Sequence, residues 1–167
     1  RSDGTEAGTY MVKDINPTRN YAFIYLLYLS NGIMFFPADD GIYGRELWRS
    51  DGTEAGTYMV KDIRFGSAHS VPYDFYSLED VMFFSADDGI HGRELWMSDG
   101  TESGTRMVKD IFPGNESSLV AAMYSFVSLN DILYFVANDG VNGRELWRSD
   151  GTEAGTVMVQ DISLGAG

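Results

Sequence analysis

The sequence predicts an all-β protein: a β-propeller-like array of four-stranded antiparallel blades. Three observations predict it. A long phrase recurs, as GRELWRSDGTEAGTYMVKDI at 44–63, GRELWMSDGTESGTRMVKDI at 92–111 and GRELWRSDGTEAGTVMVQDI at 143–162, with a headless copy, RSDGTEAGTYMVKDI, at 1–15. Each unit contains four short apolar or aromatic segments separated by turn residues, the pattern of propeller blades repeated at 40–50 residues. No window of helical length carries apolar residues at i, i+3, i+4 and i+7, and glycine interrupts every stretch long enough for a helix.

The period sets the organisation. Asp3 to Asp51 spans 48 residues, Asp51 to Asp99 spans 48, and Asp99 to Asp150 spans 51. The three extra residues are expected in a loop around Pro113 to Ala122, where an array tolerates insertion. The chain reads as one array over 1–167: a partial repeat at 1–15 supplying an outer strand, blades at 16–63, 64–111 and 112–162, and a tail at 163–167. It opens in the middle of a repeated phrase, so either a longer parent array or several copies that together complete a ring is expected.

Within a unit, the first strand is expected at Tyr25 to Leu29, Phe75 to Leu78 and Phe126 to Leu129. Two-residue turns follow: Asn31-Gly32, Glu79-Asp80 and Asn130-Asp131. Asn-Gly between apolar runs is a strong short hairpin signal. The second strand is expected at Ile33 to Phe36, Val81 to Phe84 and Ile132 to Val136, followed by the Gly-containing connections DDGIYG (39–44), DDGIHG (87–92) and NDGVNG (138–143). The third strand is expected at Arg45 to Arg49, Arg93 to Met97 and Arg144 to Arg148. The loop DGTxxGT then leads to a fourth at Tyr58 to Ile63, Arg106 to Ile111 and Val157 to Ile162, with Tyr10 to Ile15 as its copy in the partial repeat.

The second strand is apolar on both faces (Ile33, Met34, Phe35, Phe36), whereas a sheet with one wet face alternates. Stacking copies of the unit buries both faces. A β-solenoid is the alternative, but its coils are shorter, roughly 20–30 residues. Three blades are too few to close a ring, so either several copies of the chain or the rest of a longer array is the expected partner.

Composition narrows the function. With 12 basic and 25 acidic residues the net charge is −13, which argues against nucleic acid and anionic membrane surfaces. No apolar run approaches the ~20 residues of a membrane helix. The absence of cysteine excludes disulfides and thiolate metal sites. The apolar fraction of 44 % is enough for a packed core.

The consensus ELWxSDGTxxGT is carried by Glu46-Leu47-Trp48, Glu94-Leu95-Trp96 and Glu145-Leu146-Trp147, with Asp51-Gly52-Thr53, Asp99-Gly100-Thr101 and Asp150-Gly151-Thr152. It resembles the bacterial ELWxxDGT repeat family. The resemblance implies a secreted or surface-exposed bacterial protein, and no enzymatic activity comes with it.

The candidate sites follow from the repeat. Trp48, Trp96 and Trp147 could stack on sugars, but propellers repeat their core aromatics, so a structural role between blades is favoured. Asp51, Asp99 and Asp150 fit turn-forming roles, because Asp binds backbone amides two residues on and Gly supplies positive φ. The pairs Asp39-Asp40, Asp87-Asp88 and Asn138-Asp139 offer hard oxygens suited to calcium, the one cofactor candidate. They lack the D-x-D-x-D-G register of an EF-hand loop, and turn chemistry is the simpler reading. Each Arg of the RELW phrase precedes a Glu, and since strand neighbours face opposite ways, an ion pair between blades is the expectation. Ligand-binding residues are sought where copies differ: Tyr43, His91 and Asn142 at one position, Tyr58 and Arg106 at another, and the segments 16–30, 64–78 and 112–129. Only His69 and His91 could serve as bases, at unrelated repeat positions, so no catalytic constellation is expected. The favoured function is an extracellular, non-enzymatic module for adhesion, surface assembly or ligand binding, with a glycan or surface protein as candidate partner. A calcium-dependent or carbohydrate-binding lectin-like propeller is the first alternative, and a hydrolase using a central funnel the second.

Overall fold

The computed structural model describes residues 1–19, 22, 24, 26–119 and 126–162. Tyr25, residues 120–122 and the 163–167 tail lie outside the described residues. Twelve strands are present among those described. The first sheet contains β1 (Tyr28–Ser30), β2 (Ile33–Asp39), β3 (Arg45–Ser50) and β4 (Tyr58–Lys61). The second contains β5 (Tyr73–Leu78), β6 (Val81–Asp87), β7 (Arg93–Ser98) and β8 (Arg106–Lys109). The third contains β9 (Val127–Leu129), β10 (Ile132–Asn138), β11 (Arg144–Ser149) and β12 (Val157–Gln160). Each sheet is a four-stranded antiparallel meander in chain order. The protein is thus all-β and blade-like. All strand pairing lies inside a unit, whereas solenoid coils pair with one another.

Local chemistry explains the hairpins. Asn31 and Gly32 both have positive φ (47° and 74°), as a tight β1–β2 turn requires, and Asn130 and Asp131 do the same at 51° and 60°. The second strands run further than expected, to Asp39, Asp87 and Asn138, because pairing continues through Asp39↔Arg45 and its copies. The first acid of each pair therefore closes a strand instead of sitting in a loop.

The fourth strands are shorter than expected and end at Lys61, Lys109 and Gln160. A bulge between Leu47 and Trp48, repeated at Leu95/Trp96 and Leu146/Trp147, offsets the pairing. Beyond it the amides of Ile63, Ile111 and Ile162 turn to glutamate carboxylates. Residues 10–15 form no strand, contrary to expectation: Tyr10 exchanges hydrogen bonds with Arg1, and among the described residues no strand lies alongside to continue the ladder.

The sheets stack face against face. Phe35, Leu47, Val60 and Ile63 of the first unit pack on Phe75, Met82, Phe84, Ala86 and Trp96 of the second. One period on, Phe83, Leu95, Val108 and Ile111 pack on Leu119, Phe126, Leu133, Phe135, Ala137 and Trp147. Every tryptophan lies on the face turned toward the preceding unit. At roughly 25 cal/mol per Å² of apolar surface removed from water, burial at both interfaces stabilises the stack.

Candidate functional site

The DGTxxGT loop is a closed set of hydrogen bonds. Asp51 Oδ1 accepts from Thr53 N (2.9 Å) and Thr53 Oγ1 (2.6 Å), Gly56 N donates to Thr53 Oγ1, and Thr57 Oγ1 donates to Thr53 O. Ser50 Oγ and Thr57 Oγ1 tie the strand ends together at 2.6 Å. The same network surrounds Asp99 and Asp150. A Cβ at Gly56 would stand 2.0 Å from Asp51 Oδ1, which is why the second glycine of the motif has no substitute. The threonine hydroxyls and amides hold the carboxyls of Asp51, Asp99 and Asp150 below the ordinary range.

The paired acids also bind backbone. Asp39, Asp87 and Asn138 each accept from the glycine amide two residues on, at 2.7, 2.6 and 2.8 Å. Asp40, Asp88 and Asp139 each accept two further amides of the following turn. Asp87 also meets Arg64 at 2.8 Å. Among the described residues no group of three or more His, Cys, Asp or Glu is placed to hold a metal ion, so the calcium candidates are not brought together.

The glutamates do work that sequence reasoning missed. Glu46 is fully buried and accepts from Ile63 N, Ser70 N and Ser70 Oγ at 2.9, 3.0 and 2.6 Å. Glu94 accepts from Ile111 N, Phe112 N, Ser118 N and Ser118 Oγ. Each carboxylate thus grips the crossover into the next unit. Ser70 O in turn accepts from Asp87 N, so the crossover is bonded to both sheets. Among the described residues Glu46 and Glu94 do not show the expected Arg–Glu pair between blades: their carboxylates are bonded to amides and hydroxyls, and Arg93 donates to Val71 O and Ser85 Oγ. One signal was available in the otherwise variable crossovers. A serine stands 24 residues after both Glu46 and Glu94. That constant spacing also places the three-residue insertion after Ser118, in the later part of the stretch expected around Pro113 to Ala122. Burial pushes the carboxyls of Glu46 and Glu94 up to about 7, against the pull of their donors.

Trp48, Trp96 and Trp147 are 6 % exposed, and their Nε1 atoms are buried without an acceptor. Such rings present no open face for a sugar.

The five variable candidates fall at opposite ends of the sheets. Tyr43, His91 and Asn142 precede the third strand, whereas Tyr58 and Arg106 follow the loop at its far end. Tyr58 OH and Arg49 Nη1 approach Gly100 O, and Arg106 Nη2 donates to Gly151 O at 2.8 Å, so Tyr58 and Arg106 clamp the next unit's loop. Lys61 and Lys109 do likewise to Thr105 O and Thr156 O. A polar cleft of ≈ 290 Å³ does open at the Tyr43 end. Arg19, Ser67 and His69 of the variable crossovers line it, beside Asp39 and Arg45. His69 Nδ1 accepts from Arg45 N, which leaves the ring's proton on Nε2.

No protein-family model matches the sequence, and the search of curated proteins gives no match. Among solved structures the chain is similar to the crystal structure of the computationally designed Ika8 protein, with a TM-score of 0.39 and 15 % identity over 85 % of this chain. The match takes in 37 % of that protein, so the chain spans little more than a third of its length.

Proposed function

We propose that this chain is an extracellular, non-enzymatic repeat module of the ELWxxDGT type, a β-propeller-like array used for adhesion, surface assembly or ligand binding. One observation carries the reading. The repeated polar residues are consumed in building the frame, while crossovers that differ between units meet at the polar cleft beside His69. A frame of identical parts with a variable rim is the design of a binding scaffold. The resemblance of the ELWxSDGTxxGT phrase supports the bacterial surface location.

The cleft favours a small hydroxylated or anionic group as ligand, because Arg19, Arg45 and His69 offer donors around it. A glycan array including uronic acids tests this. Binding that falls at least tenfold in His69→Ala, with the fold unchanged, supports it; an array with no signal for the intact chain removes the glycan reading. Melting with and without EDTA tests the calcium alternative, and an unchanged midpoint removes calcium as a structural element.

A further inference from the structure

We infer that the outer face of the third sheet is a docking surface for the first sheet of a second copy of this chain. The inference rests on the scaffold reading above and names its partner. The two internal interfaces define what this face is built to meet. Leu47 and Leu95 are 0 % exposed and Val60 and Val108 are 3 % exposed, because the tryptophan face of the following sheet covers them. Their counterparts Leu146 and Val159 are 38 % and 48 % exposed.

The complementary face exists at the other end of the same chain. Met34 is 37 % exposed, whereas its counterparts Met82 and Leu133 are fully buried under the preceding sheet. A cleft of ≈ 620 Å³ lies against Met34 and Phe36, bounded on the far side by Val12 and Ile15 of the partial repeat. It marks the place of an upstream sheet's inner strands, the part that Leu146 and Tyr134 would contribute from another copy. The interface is heterologous, one face of each kind per chain, so copies associate head to tail. Two copies bring six sheets, within the range of roughly four to eight that closes a ring.

Residues 10–15 occupy the position that β12 of the incoming copy would take. Among the described residues they pair with no strand, and Lys13 Nζ holds them through Thr57 O at 2.6 Å. β12 is already laddered to β11. The incoming sheet therefore keeps its own fourth strand and displaces residues 10–15. At the clamp position Lys61 and Lys109 serve the internal interfaces, and Gln160 stands there on the docking face.

Sedimentation of the full chain across about 1–100 μM tests the inference, a range where interfaces of this kind are populated. The expected particle is twice the 18.5 kDa of one chain. Leu146→Asp, at a position already partly open to water, should weaken association roughly 100-fold with an unchanged circular dichroism spectrum. Gln160→Lys should restore the clamp and tighten association about fivefold. A chain that stays monomeric throughout the range overturns the proposal, as does a dimer that neither substitution moves. Glycan binding by such a monomer would leave the scaffold reading standing while this inference fails.

Discussion

The second and third sheets share the RELW strand and its register with the strands on either side, yet have different surroundings. RELW runs from 93 to 96 in one and from 144 to 147 in the other. In β7 the burial alternation is lost, because both faces are covered, while β11 alternates cleanly between buried and exposed. Identical side chains thus do different energetic work according to their neighbour. Pairwise substitution at matched positions separates what the motif contributes within a sheet from what it contributes between sheets.

The largest contrast is expected at the leucines. Leu95→Ala leaves a cavity between two sheets and should cost about 2–5 kcal/mol, whereas Leu146→Ala on the open face of the isolated chain should cost under about 1 kcal/mol. Chemical denaturation of both variants, at concentrations too low for association, measures the difference. Equal costs would mean that the second and third sheets do not stack.

The glutamates come next. Their carboxyls are raised to about 7 in the folded chain, from an ordinary 4.5. The folded state therefore binds protons more tightly than the unfolded state. This contribution to stability is full below about 4.5 and is lost as pH rises through about 7. The loop aspartates work in the opposite sense: lowered in the fold, they stabilise above 3.8 and lose that effect in acid. Thermal stability should peak near pH 5 and fall toward pH 8. Glu94→Gln should flatten part of that decline. It should also cost roughly 1–3 kcal/mol at pH 5, because its amide group faces the Ser118 and Ile111 donors. A stability profile that is flat between pH 5 and 8 would show that burial does not raise these carboxyls, and that their donors at the crossovers offset it in full.

Gly92 and Gly143 sharpen the comparison. Both have positive φ, 70° and 78°. A Cβ on Gly92 would lie 2.3 Å from the Glu116 carbonyl oxygen, while among the described residues nothing approaches within 4 Å of one on Gly143. Gly143→Ala should cost about 1 kcal/mol from backbone strain alone, and Gly92→Ala about 1–3 kcal/mol more as the crossover is forced away. Matching melting temperatures for the two variants would argue against close passage of the crossover.

Much of this frame was legible in the sequence. Period, strand number, hairpin turns and stacking all follow from a phrase whose apolar residues occupy both faces of a strand. The roles of Glu46 and Glu94 were missed, because a carboxylate that binds amides 17 and 24 residues away leaves no local pattern, only the distant serine at a constant spacing. Tyr58 and Arg106 were misleading for a related reason. They vary between copies, but each contacts a backbone carbonyl of the next unit, an acceptor that several side chains can reach. The cleft at His69 was foreseen only as a set of variable segments, since its walls come from two crossovers that meet in space.

The smallest contrast concerns the turn before the third strand. His91 Nδ1 lies 2.7 Å from Asp88 Oδ2, and in the next unit Asn142 Nδ2 donates to Asp139 Oδ2 at the same distance. The geometry is shared, but only the histidine titrates. The hydrogen bond to Asp88 raises the imidazole above its ordinary 6.5, so its contribution is complete below that value and is lost as pH rises through the folded pKa. The side chain is about one third exposed (35 %), solvent screens the pair, and the change in stability should be small, within about 0.5 kcal/mol. Two-dimensional NMR gives the direct reading. The His91 ring should titrate above 6.5 in the intact chain and return to it in Asp88→Asn. The amides of Ile90 and His91 should shift with the same midpoint, and those of Val141 and Asn142 should stay still. Movement of both turns together would mean that a proton at one rim is felt across the sheet stack, and the units would then be coupled more tightly than their packing implies.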